Sequence, residues 1–332
     1  MTTAQARGPF RREPGNPILS AADLPYPANS IFNPGAAMVA GDTVLLARVE
    51  DLRGISLLQV VRSADGASGW RFDPEPLLAP DPVRHPEEVW GCEDPRLTWL
   101  PEREEWAIAY TAYSRRGPLV SLALTSDFRE ARRLGPIMPP DDKDAALFPR
   151  RFGGRWAMIH RPSPLRGPAH MWMSFSPDLR HWGDHTLLLD ARDGAWWDAG
   201  KIGLGPPPLE TAHGWLILYH GVHPNAGGSI YRVGLALLDL DDPVRVLHRA
   251  EEWVLGPQAP YEIAGDVHQV VFPNGWTLDE ASGELRLYYG AADTVVAMAR
   301  ADVDEVLALV RSAPRPDLRA RNEGERPAAT VQ

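Results

Sequence analysis

The sequence predicts an all-β fold, a five-bladed β-propeller that ends in a short helix. Three observations lead to this prediction. Long helical periodicity is nearly absent, short apolar or alternating runs recur along the chain, and one turn pattern containing aspartate returns five times. A repeat of this kind, filled with strands, is typical of propeller blades, in which each small sheet buries its faces against its neighbours.

The predicted strands are short apolar or alternating runs bounded by Gly, Pro, Asp or Asn. In chain order they include TVLLARV, ISLLQVV, EWAIAYTAY, LVSLALT, RWAMIHR, HMWMSF, GWLILYHGV, YRVGLALL, LRLYYGA and TVVAMAR. Each run is far shorter than the roughly eighteen apolar residues that a membrane span requires. None is therefore predicted to cross a bilayer.

A degenerate sequence repeat occurs at the ends of some of these strands. A strand ends in a small or polar residue, a turn with aspartate follows, and a further apolar stretch comes next. These units begin near residues 62, 125, 174, 237 and 300. Their spacing of about 50 to 65 residues predicts five blades. A β-sandwich or barrel with coincidental turns is the alternative, because the repeat is weak.

A helix is predicted only near the C-terminal end. Asp302 can cap the run VDEVLALV, and Glu305 follows three residues later, as in a capping box. We therefore expect residues 1–312 to form the propeller domain. Residues 313–332 have no apolar periodicity and are expected to form a disordered tail.

Charge and cysteine content limit the class of partner. The net charge is −10 and basic residues form no runs, so neither a nucleic acid nor a membrane is an expected partner. The single cysteine, Cys92, excludes an internal disulfide, and the N-terminal residues lack the apolar core of a signal peptide. We expect a cytoplasmic protein that acts on a small molecule, and a homo-oligomer is compatible with the sequence.

Two lysines are unusual in a chain that uses arginine almost everywhere. Of 34 basic residues only Lys143 and Lys201 are lysines. A compact ammonium with three donors suits a phosphate or sugar oxygen where a planar guanidinium would not fit. Lys201 also lies among glycines, where the backbone can approach a ligand. Both lysines are candidate anion ligands, with chance retention as the alternative.

Polar side chains also interrupt the predicted strands near their ends, namely His160, Arg161, His220, Tyr231, Arg232 and Asp293. Strand ends from different blades meet at the central channel of a propeller, so these residues can converge there. A lone histidine of this kind is more often a hydrogen-bonded core residue. His181 with His185, and His220 with His223, have metal-like spacing, but no helix or cysteine pair accompanies them, and no metal is expected.

The segment WGCEDPRLTWL, residues 90–100, places two acids before a proline. Pro95 cannot donate a ladder hydrogen bond, so Glu93 and Asp94 are expected at a strand entrance or at a loop lip. The ordinary interpretation is a turn with a local ion pair between Asp94 and Arg96. The alternative is a functional carboxylate.

Ten motifs occur in a fixed order along the chain. They are NPG at 33–35, ARVEDLRGIS at 47–56, RSADG at 62–66, EDPRL at 93–97, KDAALFP at 143–149, HRP at 160–162, GKIG at 200–203, LYHGV at 218–222, YRVGLALLD at 231–239 and YYGAAD at 288–293. Together they resemble glycoside hydrolase family 130, which contains the β-mannoside phosphorylases. The resemblance runs from about residue 14 to residue 311. It implies a five-bladed β-propeller, in agreement with the repeat count.

The resemblance implies roles for individual residues. Asp94 is the expected general acid, which in this family is thought to protonate the glycosidic oxygen indirectly, through a hydroxyl of the mannosyl unit. Glu93 is expected either to position the loop or to be structural. The residues expected to hold the mannosyl unit are Asn33, Arg48 and Asp293. The residues expected to bind phosphate are Lys143, Arg161, Lys201, His220 and Tyr231.

These residue types favour phosphorolysis. An inverting hydrolase needs a second carboxylate that activates water, whereas phosphate arrives already charged and needs a cationic pocket. We expect an inverting phosphorylase that converts a β-mannoside and inorganic phosphate to α-mannose 1-phosphate, with no cofactor beyond the phosphate co-substrate. A β-mannosidase and a non-catalytic carbohydrate-binding propeller are the alternatives.

The acceptor sugar is left open by the sequence. Glucose, mannose, a mannooligosaccharide and N-acetylglucosamine are candidates, in β-1,4 or β-1,2 linkage, and we prefer β-1,4. Sugar faces stack on aromatic rings. The acceptor is therefore expected near Tyr113, His170, Trp172, Trp196 and Trp197.

Overall fold

The computed structural model describes residues 8–315 of the 332-residue chain. Its regular structure is mainly antiparallel β-strand, arranged in four hydrogen-bonded sheets. The largest sheet contains eight strands, but its two halves are joined only by one parallel pair, Ser56 with Gly91. The described chain thus contains five antiparallel units, each of four or five strands.

The strands are numbered in chain order, and β1 (Arg11–Arg12) belongs to the fifth unit. The first unit contains β2 (Ser30–Val39), β3 (Asp42–Glu50), β4 (Ser56–Ser63) and β5 (Arg71–Phe72). The second contains β6 (Gly91–Leu100), β7 (Glu105–Ser114), β8 (Gly117–Thr125) and β9 (Arg132–Pro136). The third contains β10 (Asp142–Leu147), β11 (Trp156–Pro162), β12 (Met171–Ser176) and β13 (Gly183–Leu189).

The fourth unit contains β14 (Lys201–Leu204), β15 (Leu209–Thr211), β16 (Gly214–Asn225), β17 (Gly228–Leu238) and β18 (Val246–Arg249). The fifth contains β19 (Val271–Asp279), β20 (Glu284–Ala291) and β21 (Val295–Asp302), together with β1. Because β1 pairs with β21, the last sheet joins both ends of the described chain through backbone hydrogen bonds. This pairing closes the ring at the place where an open ring would separate.

Five hydrophobic clusters lie between neighbouring units. They join the first unit to the second, the second to the third, the third to the fourth, the fourth to the fifth, and the fifth back to the first. In the last of these, Ile31 and Leu45 of the first unit pack with Tyr288 and Met298 of the fifth. Each unit therefore buries its faces against two neighbours, which is the packing of the five-bladed propeller that the sequence predicts.

The predicted repeat lies at the same place in every unit. Its five starting points fall near the end of the third strand along each sheet, which is β4, β8, β12, β17 or β21. In each following turn an aspartate carboxylate accepts hydrogen bonds from backbone N–H groups two or three residues later. These residues are Asp65, Asp127, Asp178, Asp239 and Asp302. The weak sequence repeat is thus a repeated turn, which the aspartate stabilises by accepting hydrogen bonds from the backbone of the same turn.

Two α-helices accompany the strands of the described residues, α1 (Pro260–Ile263) and α2 (Val303–Ser312). Helix α2 is the predicted C-terminal helix, and the Asp302 carboxylate accepts from the backbone N–H groups of Asp304 and Glu305. No helix among residues 8–315 has both the length and the apolar character that a membrane crossing requires. The predicted disordered tail lies outside the described residues from residue 316 onward.

Candidate active site

All nine residues that the family resemblance assigns to catalysis, to the mannosyl unit or to phosphate line one cavity of about 170 Å³. Every unit of the ring contributes to it. The first unit contributes Asn33 and Arg48, and the second contributes Asp94. The third contributes Lys143 and Arg161, the fourth contributes Lys201, His220 and Tyr231, and the fifth contributes Asp293. The rest of the lining is Asp144, Val267, Val270 and Phe272. The cavity is the place where the first strands of the five units converge.

A β-bulge in the first strand of three units directs polar side chains into this cavity. The first strand of each of the first three units carries a break in its pairing register, and at that break Asn33, Asp94 and Asp144 adopt positive φ angles of 46°, 51° and 55°. A bulge of this kind redirects a side chain, and Asn and Asp tolerate the left-handed backbone better than most residues. The fold therefore places an amide and two carboxylates at equivalent positions.

Of the two expected positions, the strand entrance is the one observed. Asp94 is the fourth residue of β6, is only 3% exposed and lies inside the bulge between Glu93 and Arg96, so the loop lip is wrong. Pro95 falls in the same bulge, where the ladder is already interrupted, so its missing N–H removes no strand hydrogen bond. The expected side-chain ion pair with Arg96 is also wrong, because Arg96 Nη1 donates to the backbone oxygen of Asp94, at 3.0 Å.

The Asp94 carboxylate is held by an amide and a guanidinium. Its Oδ1 accepts from Asn33 Nδ2 at 2.9 Å and from Arg48 Nη1 at 3.1 Å. Burial by itself would raise the pKa of Asp94, but the nearby cations, above all Arg48 and then Lys143, lower it below its ordinary value. These cations therefore favour the ionised form of Asp94.

Glu93 shares the same guanidinium. Its Oε1 lies 3.1 Å from Arg48 Nη2, and burial raises the pKa of Glu93. The Arg48 guanidinium also packs over the ring of Phe32, 4.6 Å from its centroid, and its Nε donates to Ser56 Oγ at 2.8 Å. These contacts, together with the ion pair to Glu93, hold the Arg48 guanidinium beside Asp94.

Asp293 is a third carboxylate at this site. Burial, followed by the charge of Asp94, raises the pKa of Asp293 to about 6, while Arg48 and Lys143 oppose the rise. A carboxyl with this pKa can hold a proton close to neutral pH. When protonated it can donate a hydrogen bond to a sugar hydroxyl, and when ionised it can only accept one.

The other polar residues of the lining are mainly cationic. Arg161 Nε donates to Asp144 Oδ2 at 2.7 Å and Arg161 Nη1 donates to Ser163 Oγ at 2.8 Å. Lys201 Nζ lies 5.1 Å from the centroid of the Tyr231 ring. Within residues 8–315, neither Lys143 nor Lys201 has a carboxylate oxygen within 4.0 Å. Two ammonium groups without close anionic partners, beside an oriented guanidinium, form a site suited to an anion.

Burial shifts the titration of two members of this group. Burial and then the charge of Arg161 lower the pKa of Lys201. Burial also lowers the pKa of His220 to about 3, although Asp144 opposes this, with His220 Nε2 at 3.5 Å from Asp144 Oδ2. His220 is therefore neutral near pH 7 and can offer a single N–H. The positive charge of this group comes from lysine and arginine.

Sequence reasoning missed Asp144 and the role of Arg96. Asp144 is 1% exposed and lies between Arg161, Arg96 and His220. The motif KDAALFP contains it, but an acid in an expected phosphate pocket contradicts simple charge matching. Gly203 is a second signal, because a methyl group there would collide with both Asp144 and His220. The motif GKIG thus needs its last glycine for close packing.

The aromatic residues expected at an acceptor site do not line the central cavity, although all five are described. Trp197 is a core residue, whose ring stacks on Tyr219 at 5.7 Å and whose Nε1 donates to the backbone oxygen of Glu251. His170 and Trp172 line a separate groove of about 740 Å³ on the third unit. Tyr113 and Trp196 are about one-third exposed, at 36% and 38%.

One group of possible metal ligands lies outside the cavity. Ligand atoms of His85, Glu87 and Glu88 lie within 4.8 Å of one another. The buried carboxylate of Glu88 already accepts from Tyr110 at 2.7 Å and from Arg133 at 2.9 Å. Arg133 neutralises this carboxylate, which leaves Glu87 and His85 as the members of the group that are not bound to an arginine or lysine in the described part of the chain.

Comparison with known proteins agrees with the motifs. The family model for glycoside hydrolase family 130, described as beta-1,4-mannooligosaccharide phosphorylase, matches residues 15–312. The β-1,4-mannooligosaccharide phosphorylase of Ruminococcus albus is 35% identical over 309 residues, which cover 91% of this chain and 90% of the relative. The β-1,2-mannobiose phosphorylase of Listeria innocua is 37% identical over 257 residues, which cover 77% of this chain and 69% of the relative.

Solved structures give the same family. The complex of the Listeria innocua β-1,2-mannobiose phosphorylase with β-1,2-mannobiose has a TM-score of 0.83 at 30% identity, covering 91% of this chain and 99% of that chain. A structure from work on family 130 glycoside hydrolases that target β-1,2 mannosidic linkages in Candida mannan has a TM-score of 0.78 at 26% identity, covering 90% and 95%. The chain belongs to glycoside hydrolase family 130, the family of the mannoside phosphorylases.

Proposed function

We propose that the protein is an inverting phosphorylase that cleaves a β-mannoside with inorganic phosphate and releases α-mannose 1-phosphate. The observation that carries this proposal is the composition of one cavity. It is lined by Asp94 with Asn33, Arg48 and Asp293, and also by the expected phosphate ligands Lys143, Arg161, Lys201, His220 and Tyr231.

In this proposal Asp94 supplies the proton for the leaving sugar, through a hydroxyl of the mannosyl unit. The mannosyl unit lies against Asn33, Arg48 and Asp293, which offer donors and acceptors for its hydroxyl groups. Phosphate binds among the cations, which offset its desolvation and aim one oxygen at the anomeric carbon. Attack from the face opposite the leaving group inverts the configuration and gives the α-phosphate.

The low pKa of Asp94 fits this scheme when phosphate is bound. The charges of Arg48 and Lys143 favour the ionised carboxylate. A phosphate dianion placed beside Lys143 offsets that charge, so the pKa of Asp94 rises and a proton is taken up. Phosphate binding therefore favours the protonated form of Asp94, which is the form that can donate a proton. Without phosphate the carboxylate stays ionised.

For the substrate we propose a β-1,4-linked mannoside, with glucose, mannose, a mannooligosaccharide or N-acetylglucosamine as the leaving sugar. The support is the description of the matching family model and the identity to the Ruminococcus albus relative. Relatives that act on β-1,2 linkages are similarly close, so β-1,2-mannobiose belongs in the same test.

A β-mannosidase is the second candidate, because family 130 also contains glycoside hydrolases. Hydrolysis with inversion needs a carboxylate that activates water on the face opposite the acid. Asp144 is poorly suited to this, since it is buried against Arg161 and Arg96 and its pKa is strongly lowered, with those cations overcoming the effect of burial. The complete cationic set favours phosphate over water.

The test is a product analysis on a panel of β-1,4- and β-1,2-linked mannosides, each incubated with and without inorganic phosphate. We expect mannose 1-phosphate in amounts equal to the phosphate consumed, and little reaction without phosphate. Equal release of free mannose under both conditions would establish the hydrolase instead. The substrate with the highest kcat/KM identifies the linkage and the acceptor.

A further inference from the structure

A buried acid, Asp144, lies among the cationic residues of the cavity, in contact with Arg96, Arg161 and His220. Asp144 is 1% exposed, has a φ of 55° and carries a strongly lowered pKa, because Arg161, His220 and Arg96 outweigh the effect of burial. An anion among anion ligands is unfavourable for phosphate binding by charge alone. Its position therefore needs another explanation.

The contacts of Asp144 orient one phosphate ligand. Asp144 Oδ2 accepts from Arg161 Nε at 2.7 Å, and Ser163 Oγ accepts from Arg161 Nη1 at 2.8 Å. Two of the three guanidinium nitrogens are thus anchored in the protein. A guanidinium fixed in this way presents its remaining N–H groups in one direction, and it loses little side-chain entropy when an anion binds.

The same carboxylate also contacts the residue that supports Asp94. Arg96 Nη2 lies 3.4 Å from Asp144 Oδ1 and donates to the backbone oxygen of Leu204 at 2.9 Å. Arg96 Nη1 donates to the backbone oxygen of Asp94 at 3.0 Å, and Arg96 Nε donates to that of Gly205 at 3.1 Å. Arg96 therefore ties the backbone of the second unit to that of the fourth, and Asp144 neutralises it.

We propose that Asp144 is a positioning residue, which orients Arg161 for phosphate and, through Arg96, holds the backbone of Asp94 at a fixed distance from that phosphate. The inference rests on the proposed phosphate site. It assigns Asp144 no contact with substrate and no proton transfer. One buried carboxylate thereby couples the geometry of the proton donor to that of the anion pocket.

The test is calorimetric titration of the full-length protein with inorganic phosphate, without sugar. Asp144→Asn should weaken phosphate binding about tenfold or more, since a charge-assisted hydrogen bond that orients Arg161 is lost. Asp142→Asn is the matched control, because Asp142 lies two residues away on the same strand, is 3% exposed and pairs with His160 at 2.6 Å. The control should bind phosphate within about twofold of wild type, the change expected of a group outside the site.

A double-mutant cycle separates positioning from general destabilisation. If Asp144 acts through Arg161, then Asp144→Asn should weaken phosphate binding much less in an Arg161→Ala background than in the wild type. Additive effects would overturn the inference. Should Asp144→Asn fail to fold, Arg161→Lys replaces it, because an ammonium cannot keep both anchors and should weaken phosphate binding about tenfold. Unchanged affinity in Arg161→Lys would also overturn the inference.

The outcomes distinguish this inference from the proposed function. A wild-type protein that binds no phosphate refutes both, and the phosphorylase assignment falls first. If the wild type binds phosphate and Asp144→Asn binds it equally tightly, the positioning role alone is refuted. The proposed function is then unaffected.

Discussion

Asp293→Asn should make the protein more stable at pH 8 while impairing catalysis. On folding, burial and the charge of Asp94 raise the pKa of Asp293 from its ordinary value of 3.8 to about 6. Holding the carboxylate ionised in the folded state therefore costs about 3 kcal/mol before screening. Because Asp293 keeps some solvent exposure, screening reduces this cost, and we expect a gain of about 1–2 kcal/mol in the free energy of unfolding of the variant.

The pH dependence gives the sign of this effect. A group whose pKa is raised in the folded state contributes its stabilisation fully below its ordinary pKa and loses it as the pH rises through the folded-state value. The wild type should thus lose stability between about pH 4 and pH 6, whereas the variant has no proton to lose at residue 293. The advantage of Asp293→Asn should be large at pH 8 and should shrink toward pH 4.

Urea unfolding of both proteins at pH 4.5 and pH 8 measures this difference. Asp241→Asn, on an exposed turn of the fourth unit, is the control and should change stability by less than about 0.5 kcal/mol. A variant that is less stable than wild type at pH 8, or one whose advantage is the same at both pH values, would refute the reasoning. The same variant should bind phosphate normally and show a higher KM for the mannoside.

Three further predictions concern residues of the cavity. Asp94→Asn should lower turnover by about 10²–10⁴-fold in steady-state assays with an unchanged circular dichroism spectrum, and more than about a tenth of wild-type activity would contradict its role as acid. Arg161→Ala and His220→Ala should raise the KM for phosphate, measured at saturating sugar, and an effect confined to the sugar KM would contradict their placement. Lys201→Ala should weaken phosphorolysis and synthesis from mannose 1-phosphate together, by roughly ten- to a hundredfold, and Lys201→Arg should fail to restore them. Near-normal kinetics of Lys201→Arg in both directions would favour a solvated loop residue instead.

Much of the fold could be predicted because it depends on local chemistry. The repeated turn is visible in the sequence since aspartates such as Asp65 and Asp178 bond to their own backbone two or three residues later. The helix after Asp302 is visible for the same reason. The count of blades follows from the count of turns, and the clusters between neighbouring units support it.

The failures concern features that tertiary packing decides. The missing N–H of Pro95 predicts a strand entrance or a loop lip for Glu93 and Asp94, whereas a bulge opposite β7 accommodates the proline inside a buried strand, and this depends on the partner strand. Asp144 was missed because its anionic charge is compensated by residues from other strands, Arg96 and Arg161. Trp197 was expected to contact an acceptor, but its ring packs on Tyr219, which lies 22 residues further along the chain.

The central claim is that phosphate, and not water, attacks the anomeric carbon from the face opposite the leaving sugar. Proton and phosphorus NMR of a single reaction, followed from its first minutes with a β-mannoside and inorganic phosphate, tests this claim most directly. If phosphate is the nucleophile, α-mannose 1-phosphate appears first, and its amount rises as the amount of phosphate falls. Free α-mannose as the first product, at a rate that does not depend on phosphate, would contradict it.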